Sequence, residues 1–554
     1  MQSEEDRGKR FSIRSQHNNN CNSSSSNALR IAGTELGYVF RDFLNMEPTS
    51  MLIRGLPGTG KTTLALELMQ LMHDKYNCFY ISTRVSLARL QRYFPWIIGY
   101  LKDESVLSYD KIEKDSVIDL RLGSAAGTVE LVIDTLINKK RAFVVLDSWD
   151  ALAKEIKHDE RMKMEKTMIT VADTNDGFIL FVSEEPEMNT LSYLVDGIVT
   201  LNVRDYDGVS IRSMYIDKMR GVALYNNNYA YTLLDSRFTL VPIQYNCTYC
   251  EYRDDEDDNG NDDGSSSGSS SGSSYRLFHV FDAREGFVST GSRDMDVMLH
   301  GGLRYGSTLL LEVDPGFDMI FLNAILTCMI ANSLNSNGKV MLDALDASLS
   351  SMMGSILPFC TDKVKNLTIF TSSKIDVQAV YEQWLNNKRR RKSKSINSLP
   401  SIVNVSDSNY TSIMLERYNE LKRLDGMSIE HNDSNSKESA TTTATTATAT
   451  AADSVDNTRR SILLILNRMH ASSSRMHESM LLTNAKDNGD VTVIVERVGS
   501  SNIPYVKSIS DVHLRLWSKS GVHLMHALKP NLGTYAILLD RERGYPSYLL
   551  LRMV

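Results

Sequence analysis

Met51-Leu52-Ile53 runs into Gly55-Leu56-Pro57-Gly58-Thr59-Gly60-Lys61-Thr62, and a helix-forming run from Thr63 to Met72 follows. An apolar strand, a glycine-rich loop ending in Lys-Thr, and a helix, in that order, make a phosphate-binding loop. The glycines let successive backbone N–H groups turn inward around a β-phosphate, and the helix N-terminus adds its positive dipole end. Gly55, Leu56, Pro57, Gly58, Thr59, Gly60, Lys61, Thr62 and Thr63 are the expected nucleotide-binding residues. Lys61 is expected to reach the β/γ-phosphates and Thr62 to ligate Mg²⁺, so ATP with Mg²⁺ is the implied ligand. An ordinary tight turn does not account for the full pattern in this setting.

A partner carboxylate is expected at the end of a neighbouring strand. Ala142-Phe143-Val144-Val145-Leu146-Asp147 supplies an apolar run ending in Asp147, which is what a Walker B strand needs to hold the Mg²⁺ shell; the alternative is an Asp that caps the next helix. The chain has 554 residues, 42% of them hydrophobic and 23% charged, which is ordinary globular composition and more than one core usually supports. The net charge of -7 argues against wholesale coating of nucleic acid. The most apolar helical stretch, Met319 to Ala331, is thirteen residues long and includes Asn323, so no membrane span is expected. Residues 1–27, with their Asn and Ser tracts, read as a disordered tail rather than a secretory start, and the expected location is cytoplasmic.

The order of elements around these motifs resembles the KaiC/RecA-like ATPases over about residues 28–240. Tyr80-Ile81-Ser82-Thr83-Arg84-Val85-Ser86 is similar to their second strand, and Phe178 to Glu184 to the later strand that carries a polar sensor. Leu194 to Leu201 and Asp217-Lys218-Met219-Arg220-Gly221 resemble the family's closing segment. That resemblance implies that Lys218 and Arg220 act in trans, at the nucleotide site of a neighbour in a homo-oligomer. Leu-Pro-Gly-Thr-Gly-Lys-Thr followed by Ser-Thr-Arg-Val-Ser is most similar to the archaeal GvpD branch, gas-vesicle regulators with a nucleotide-binding loop.

One departure bears on chemistry. The family usually carries a Glu pair just after the second strand, where a carboxylate orients the attacking water, and this chain has Arg84-Val85 there. Losing such a group commonly lowers the rate about 10²–10⁴-fold, so slow hydrolysis or binding-only switching is expected. Glu184 and Glu185 are on another strand end; they serve either as substitutes for the missing base or as a solvated acidic turn before Pro186.

Cys247-Thr248-Tyr249-Cys250 has metal-ligand spacing, but no second pair or nearby His completes four ligands, so zinc and free thiols both stay open. The acidic run Asp254 to Asp258 and the Ser/Gly tract ending at Ser274 mark a linker over 246–274. It separates an ATP-binding domain, 28–245, from a second domain, 275–554, with a low-complexity insertion at about 425–459. The second half reads as a decayed copy of the first. At a constant offset of 258, Pro315 and Gly316 fall on Pro57 and Gly58, while Val313, Asp318, Met319 and Ile320 replace Gly55, Gly60, Lys61 and Thr62. Asp318 repels a phosphate and Met319 removes its main cation, so this second site is expected to be empty. Further strands are expected at Lys339 to Leu342, Leu367 to Phe370, Ser461 to Leu466 and Val491 to Val495, none of them with a clean Walker B Asp at its end; Asn467 follows one of them.

Lys388 to Lys394 places six positive charges in seven residues, a solvated loop, a dock for an acidic partner, or a phosphate-backbone contact. The fold expected is therefore α/β, with two RecA-like P-loop domains, the second degenerate. Three functions fit: a nucleotide-switched regulator acting through a protein partner, an oligomeric ATPase acting on nucleic acid, and a scaffold that binds nucleotide without hydrolysing it.

Overall fold

The computed structural model describes residues 35–47, 49–83, 85–99, 125–154, 156–185, 190–206, 208–224, 226–244, 278–344, 356, 362–372, 400–405, 410–435, 461–468, 475–519, 521–540, 545 and 547–554. The linker, Cys247 and Cys250, Arg84, Pro186, the N-terminal stretch and the basic run at 388–394 lie outside them.

The first domain runs α1 (Glu35–Asn45), β1 (Ser50–Gly55), α2 (Lys61–Met72), β2 (Asn77–Ser82), α3 (Leu87–Tyr93), α4 (Ala125–Asn138), β3 (Ala142–Asp147), α5 (Trp149–Ala153) and α6 (His158–Thr174). It continues with β4 (Phe178–Ser183), α7 (Thr190–Leu194), β5 (Gly197–Tyr206), β6 (Val209–Met219), β7 (Asn228–Thr232) and β8 (Thr239–Val241). The sheet order is β2-β3-β4-β1-β5-β6-β7-β8, parallel from β2 through β5 and antiparallel beyond. β1 and β4 are buried along their whole length, which is why Ser-Met-Leu-Ile and Phe-Ile-Leu-Phe-Val are continuous apolar runs rather than alternating ones. One core lies between this sheet and α1 and α2, around Phe40, Leu64 and Leu68. Another lies on the opposite face beneath α4 to α6, around Val132, Trp149 and Met168.

The second domain runs β9 (Phe287–Val288), α8 (Arg293–Met298), β10 (Leu303–Arg304), β11 (Thr308–Val313), α9 (Met319–Asn335), β12 (Lys339–Asp343), β13 (Leu367–Ser372), β14 (Ser401–Val405), α10 (Tyr410–Asn435) and β15 (Ile462–Arg468). Then come α11 (Arg475–Asp487), β16 (Val491–Arg497), α12 (Ile503–Ile509), β17 (Val512–Lys519), β18 (Val522–Lys529), β19 (Gly533–Asp540) and β20 (Ser547–Met553). α9 is buried on nearly every side, and its apolar run from Phe321 is the centre of the largest core cluster. α10 continues to Asn435, so the insertion expected from about 425 starts inside a helix; residues 436–460 lie outside the described ones.

The ten-stranded second sheet has the order β14-β13-β12-β15-β16-β11-β17-β18-β19-β20. Its run β12-β15-β16-β11-β17-β18 repeats β2-β3-β4-β1-β5-β6 strand for strand, with β13 and β14 added at the outer edge. The registers agree as well. Ile53 and Asp147 both pair with Val182, as Leu311 and Asn467 both pair with Val495. Both sheets also shift register at one place: between Ile198 and Val199 on β5, and between His513 and Leu514 on β17.

The two antiparallel extensions meet. Val209, Ile211, Ala230 and Val241 of the first sheet pack on Val522, Leu524, Ala536 and Leu538 of the second in one buried cluster. Gln244 clamps Leu539 with its side-chain amide, Nε2 donating to the carbonyl at 3.0 Å and Oε1 accepting from the N–H at 2.7 Å.

Candidate nucleotide site

The parallel order fixes where the site must be. β1 and β3 both end at the carboxyl edge of the first sheet with β4 between them, so the ends of three strands converge on one cavity. That cavity, about 390 Å³, is lined by Gly58, Gly60, Lys61, Thr62, Asp147 and Glu184 together with Tyr80, Tyr93 and Phe94.

The loop from Gly55 to Gly60 is held from outside. The Thr59 hydroxyl donates to the Leu56 carbonyl at 2.9 Å, Arg212 Nη1 donates to the Gly58 carbonyl at 2.8 Å, and the Tyr231 hydroxyl donates to the Thr59 carbonyl. Two glycines are required by space as well as by angle. A Cβ on Gly55, at φ 150°, would lie 2.3 Å from the Leu201 carbonyl oxygen, and one on Gly60, at φ 92°, would lie 2.8 Å from Leu233. α2 starts at Lys61 with no side-chain cap from Gly60, which leaves its first-turn N–H groups facing the loop.

Lys61 is buried and its ammonium donates to the Gly55 carbonyl at 2.8 Å and the Leu56 carbonyl at 2.9 Å. The Thr62 hydroxyl donates to Asp147 Oδ2 at 2.6 Å, so the two oxygens expected at a hard divalent cation already stand side by side. Tyr80 donates to the same Oδ2 at 2.5 Å. Complete burial, reinforced by the Asp147 charge, pushes the Tyr80 hydroxyl well above its ordinary pKa, so it remains a donor. Tyr80 was missed in the sequence because an aromatic within an apolar strand reads as core.

Glu184 follows β4 and lines the cavity, while its N–H donates to Asp150 Oδ2 at 2.5 Å. Glu185 points elsewhere, 3.7 Å from Arg161 Nη1, within a group in which Arg161 also meets Glu165 at 2.8 Å and Asp150 at 3.5 Å. Of the two acidic candidates, only Glu184 is at the cavity.

Lys218 and Arg220 are not at the site of their own chain. Lys218 lies at the end of β6 and Arg220 just beyond it, beside the start of β5, and both therefore lie at the opposite sheet edge from the phosphate loop. Arg220 pairs with Asp196 at 2.9 Å. The Lys218 ammonium donates to the Val195 carbonyl at 2.5 Å, just past α7. Lys529, which pairs with His513 as Lys218 pairs with Ile198, does the same to the Ser510 carbonyl past α12. The lysine thus recurs as a clamp on a helix end in a domain without a phosphate loop.

In the second domain the same strand ends carry other chemistry. Contrary to expectation one later strand, β12, does end in an aspartate, Asp343, but it takes the place of β2; at the register position of Asp147 stands Asn467, and Arg497 follows Glu496 where Glu184 follows Ser183. Asp318 caps α9, its carboxylate accepting from the Ile320 N–H at 2.9 Å, where Gly60 precedes α2. His523, at the register of Arg212, stacks on Phe321 with centroids 3.7 Å apart and meets Phe317 edge-on at 5.5 Å. At the offset of 258, Phe317 and Phe321 stand in place of Thr59 and Thr63, and Asp318 and Met319 in place of Gly60 and Lys61. Burial lowers the His523 pKa below its ordinary value, against the opposing pull of Asp318, so a neutral ring sits in this stack.

Among the described residues, no group of three or more His, Cys, Asp or Glu side chains could hold a metal ion, and no helix is long and apolar enough to cross a membrane. A cation at the first site would depend on Thr62, Asp147 and the nucleotide's own oxygens.

Residues 40–217 match the family model described as the GvpD gas vesicle protein, P-loop domain. Protein GvpD1 of Halobacterium salinarum is 26% identical over 294 residues, 49% of this chain and 49% of the relative. Protein GvpD2 of the same organism is 26% identical over 296 residues, 50% of this chain and 54% of the relative. The chain spans about half the length of the curated relatives it matches.

Proposed function

We propose that this chain, a GvpD-like P-loop protein, is a nucleotide-switched regulator of gas vesicle formation that binds ATP with Mg²⁺ in its first domain, hydrolyses it slowly and acts through a protein partner. The observation that carries the reading is the convergence of Lys61, Thr62, Asp147 and Glu184 on one cavity whose loop is linked through Arg212 to the last residue of the second domain.

Each residue has a distinct task. Lys61 supplies the cation at the β/γ-phosphates, and the N–H groups at the start of α2 take phosphate oxygens. Thr62 and Asp147 offer a hard oxygen pair, and Tyr80 fixes the carboxylate that Thr62 also uses. Mg²⁺, when bound with the nucleotide, neutralises charge on the phosphate oxygens. Glu184 orients the attacking water in place of the absent Glu pair, its backbone held by Asp150. The displaced base is the reason for slow turnover.

The path to a readout begins at Arg212. Its Nη1 holds Gly58 in the loop and its Nε donates to the Val554 main-chain oxygen at 2.6 Å, immediately beyond β20. Thr232 on β7 ties to the same segment through the Arg552 carbonyl and the Val554 N–H, each at 3.0 Å. A loop that reorganises around phosphate therefore changes the partners of a strand in the second domain, which is the bistable element a regulator needs. Retention of a partner from a cell extract on the full chain, with and without a non-hydrolysable ATP analogue, tests the switch; equal recovery of every protein in both states would refute it.

A further inference from the structure

The second domain carries a cavity of about 540 Å³ lined by Arg284, Arg304, Lys486, His300, Ser307 and Phe287. Ser307 precedes β11 and the neighbouring Asp511 precedes β17, so the cavity opens at the sheet edge opposite Asp318 and the degenerate loop. Arg284 and Arg304 both lean on the Phe287 ring, their guanidinium carbons 6.0 and 5.7 Å from its centroid. Among the described residues, neither these guanidiniums nor the Lys486 ammonium has a carboxylate within salt-bridge distance. Asp511, the lining carboxylate, is engaged by the Thr308 N–H at 2.9 Å. Ser307 is 6% exposed and its hydroxyl has no hydrogen-bond partner.

The corresponding place in the first domain shows that the fold does not demand this charge. There Thr49, which the offset of 258 aligns with Ser307, donates its hydroxyl to Asp196 at 3.1 Å. Its cavity is lined by Glu47, Asp173 and Asp196, with Arg220 paired to Asp196. The second domain has exchanged an acidic, internally satisfied recess for a basic one with an orphaned buried hydroxyl.

We propose that this cavity binds a small phosphate-bearing anion, whose oxygens are taken by Arg284, Arg304, Lys486 and the Ser307 hydroxyl. Planar guanidinium forks match phosphate oxygens, and three cations around the single Asp511 carboxylate leave the concavity with a positive excess that an anion offsets.

The test uses the full chain with Lys61→Met, which removes the cation of the phosphate loop, titrated with inorganic pyrophosphate by calorimetry in EDTA and about 0.15 M salt. One saturable site per chain is expected. Arg304→Ala with Lys486→Ala should weaken it about 30-fold or more, and Ser307→Ala several-fold, since charge-assisted contacts are the stronger ones. The two charged residues are exposed, so an unchanged melting temperature in that double variant is expected and separates lost binding from lost folding. AMP in a parallel arm distinguishes the source: tighter AMP binding at the same residues identifies a nucleotide, tighter pyrophosphate a free polyphosphate. No saturable binding, binding indifferent to the variants, or binding of oligonucleotides alone would overturn the proposal. Failure of the ATP reading would show separately, as ATP–Mg²⁺ affinity unchanged by Lys61→Met.

Discussion

Lys61→Met puts into the first domain the residue that the second already has at Met319. Methionine keeps the buried stem and matches lysine in helix propensity, so the change isolates the ammonium. Without nucleotide, the Gly55 and Leu56 carbonyls lose donors at 2.8 and 2.9 Å, and at the exposed Leu56 water takes the place of the ammonium. That should cost about 1 kcal/mol or less in stability. With nucleotide, a charge-assisted contact worth roughly 1.5–3 kcal/mol disappears. At about 1.4 kcal/mol per tenfold, ATP–Mg²⁺ affinity should fall roughly 10- to 150-fold. Calorimetric titration reads the affinity, and a thermal melt confirms that the fold is intact. A folded variant whose affinity lies within about threefold of wild type would refute the placement of the phosphates at Lys61.

Asp147→Asn keeps the shape that Thr62 and Tyr80 engage but removes the charge, so single-turnover hydrolysis should drop about 100-fold while metal-free nucleotide binding changes little; equal rates would exclude the role. Asp318→Gly with Met319→Lys and Ile320→Thr should not create a second magnesium-dependent ATP site, because Val313 still stands at the first glycine position and Asn467 at that of Asp147; titration showing two such sites would contradict this. His523 binds its proton less readily folded than unfolded, so the stability it contributes is complete above about pH 6.5 and is lost as pH falls toward its depressed pKa; His523→Phe should flatten that acid limb in melts at successive pH values, and an unaltered limb would count against the buried neutral ring. Lys218→Met should lower stability by about 1 kcal/mol through the lost Val195 contact, whereas Arg220→Ala, on an exposed ion pair, should leave melting nearly unchanged but reduce turnover if it serves a neighbouring subunit. A strictly monomeric ATP-bound protein by light scattering would end the trans role.

What the sequence disclosed was whatever a short window contains. Gly55 to Thr62 carries its own strand and helix, and Asp147 ends an apolar run, so both were legible without a partner. The same holds for the strands at Lys339, Leu367, Ile462 and Val491. Asn467 looked like a failed match, and only the shared register through Val495 identifies it as the counterpart of Asp147. Arg212 and Tyr231 stayed hidden because they reach the loop from strands more than 150 residues away in sequence, and neither type at its position differs from an ordinary strand residue. Lys218 shows the converse. A motif supplied its role by resemblance, while its contact with Val195, repeated by Lys529 at Ser510, depends on strand pairing that no local pattern encodes.

The apolar seam in which Val209, Ile211, Ala230 and Val241 meet Val522, Leu524, Ala536 and Leu538 limits how the chain can be divided. A fragment ending before residue 278 would present that face to water, a continuous patch of the kind that drives self-association. Cutting the covalent connection between residues 245 and 277 is a different operation, because the seam and the Gln244 clamp on Leu539 remain. The nicked halves should therefore co-elute, melt together and separate only under denaturant, because the seam joins them without a covalent bond.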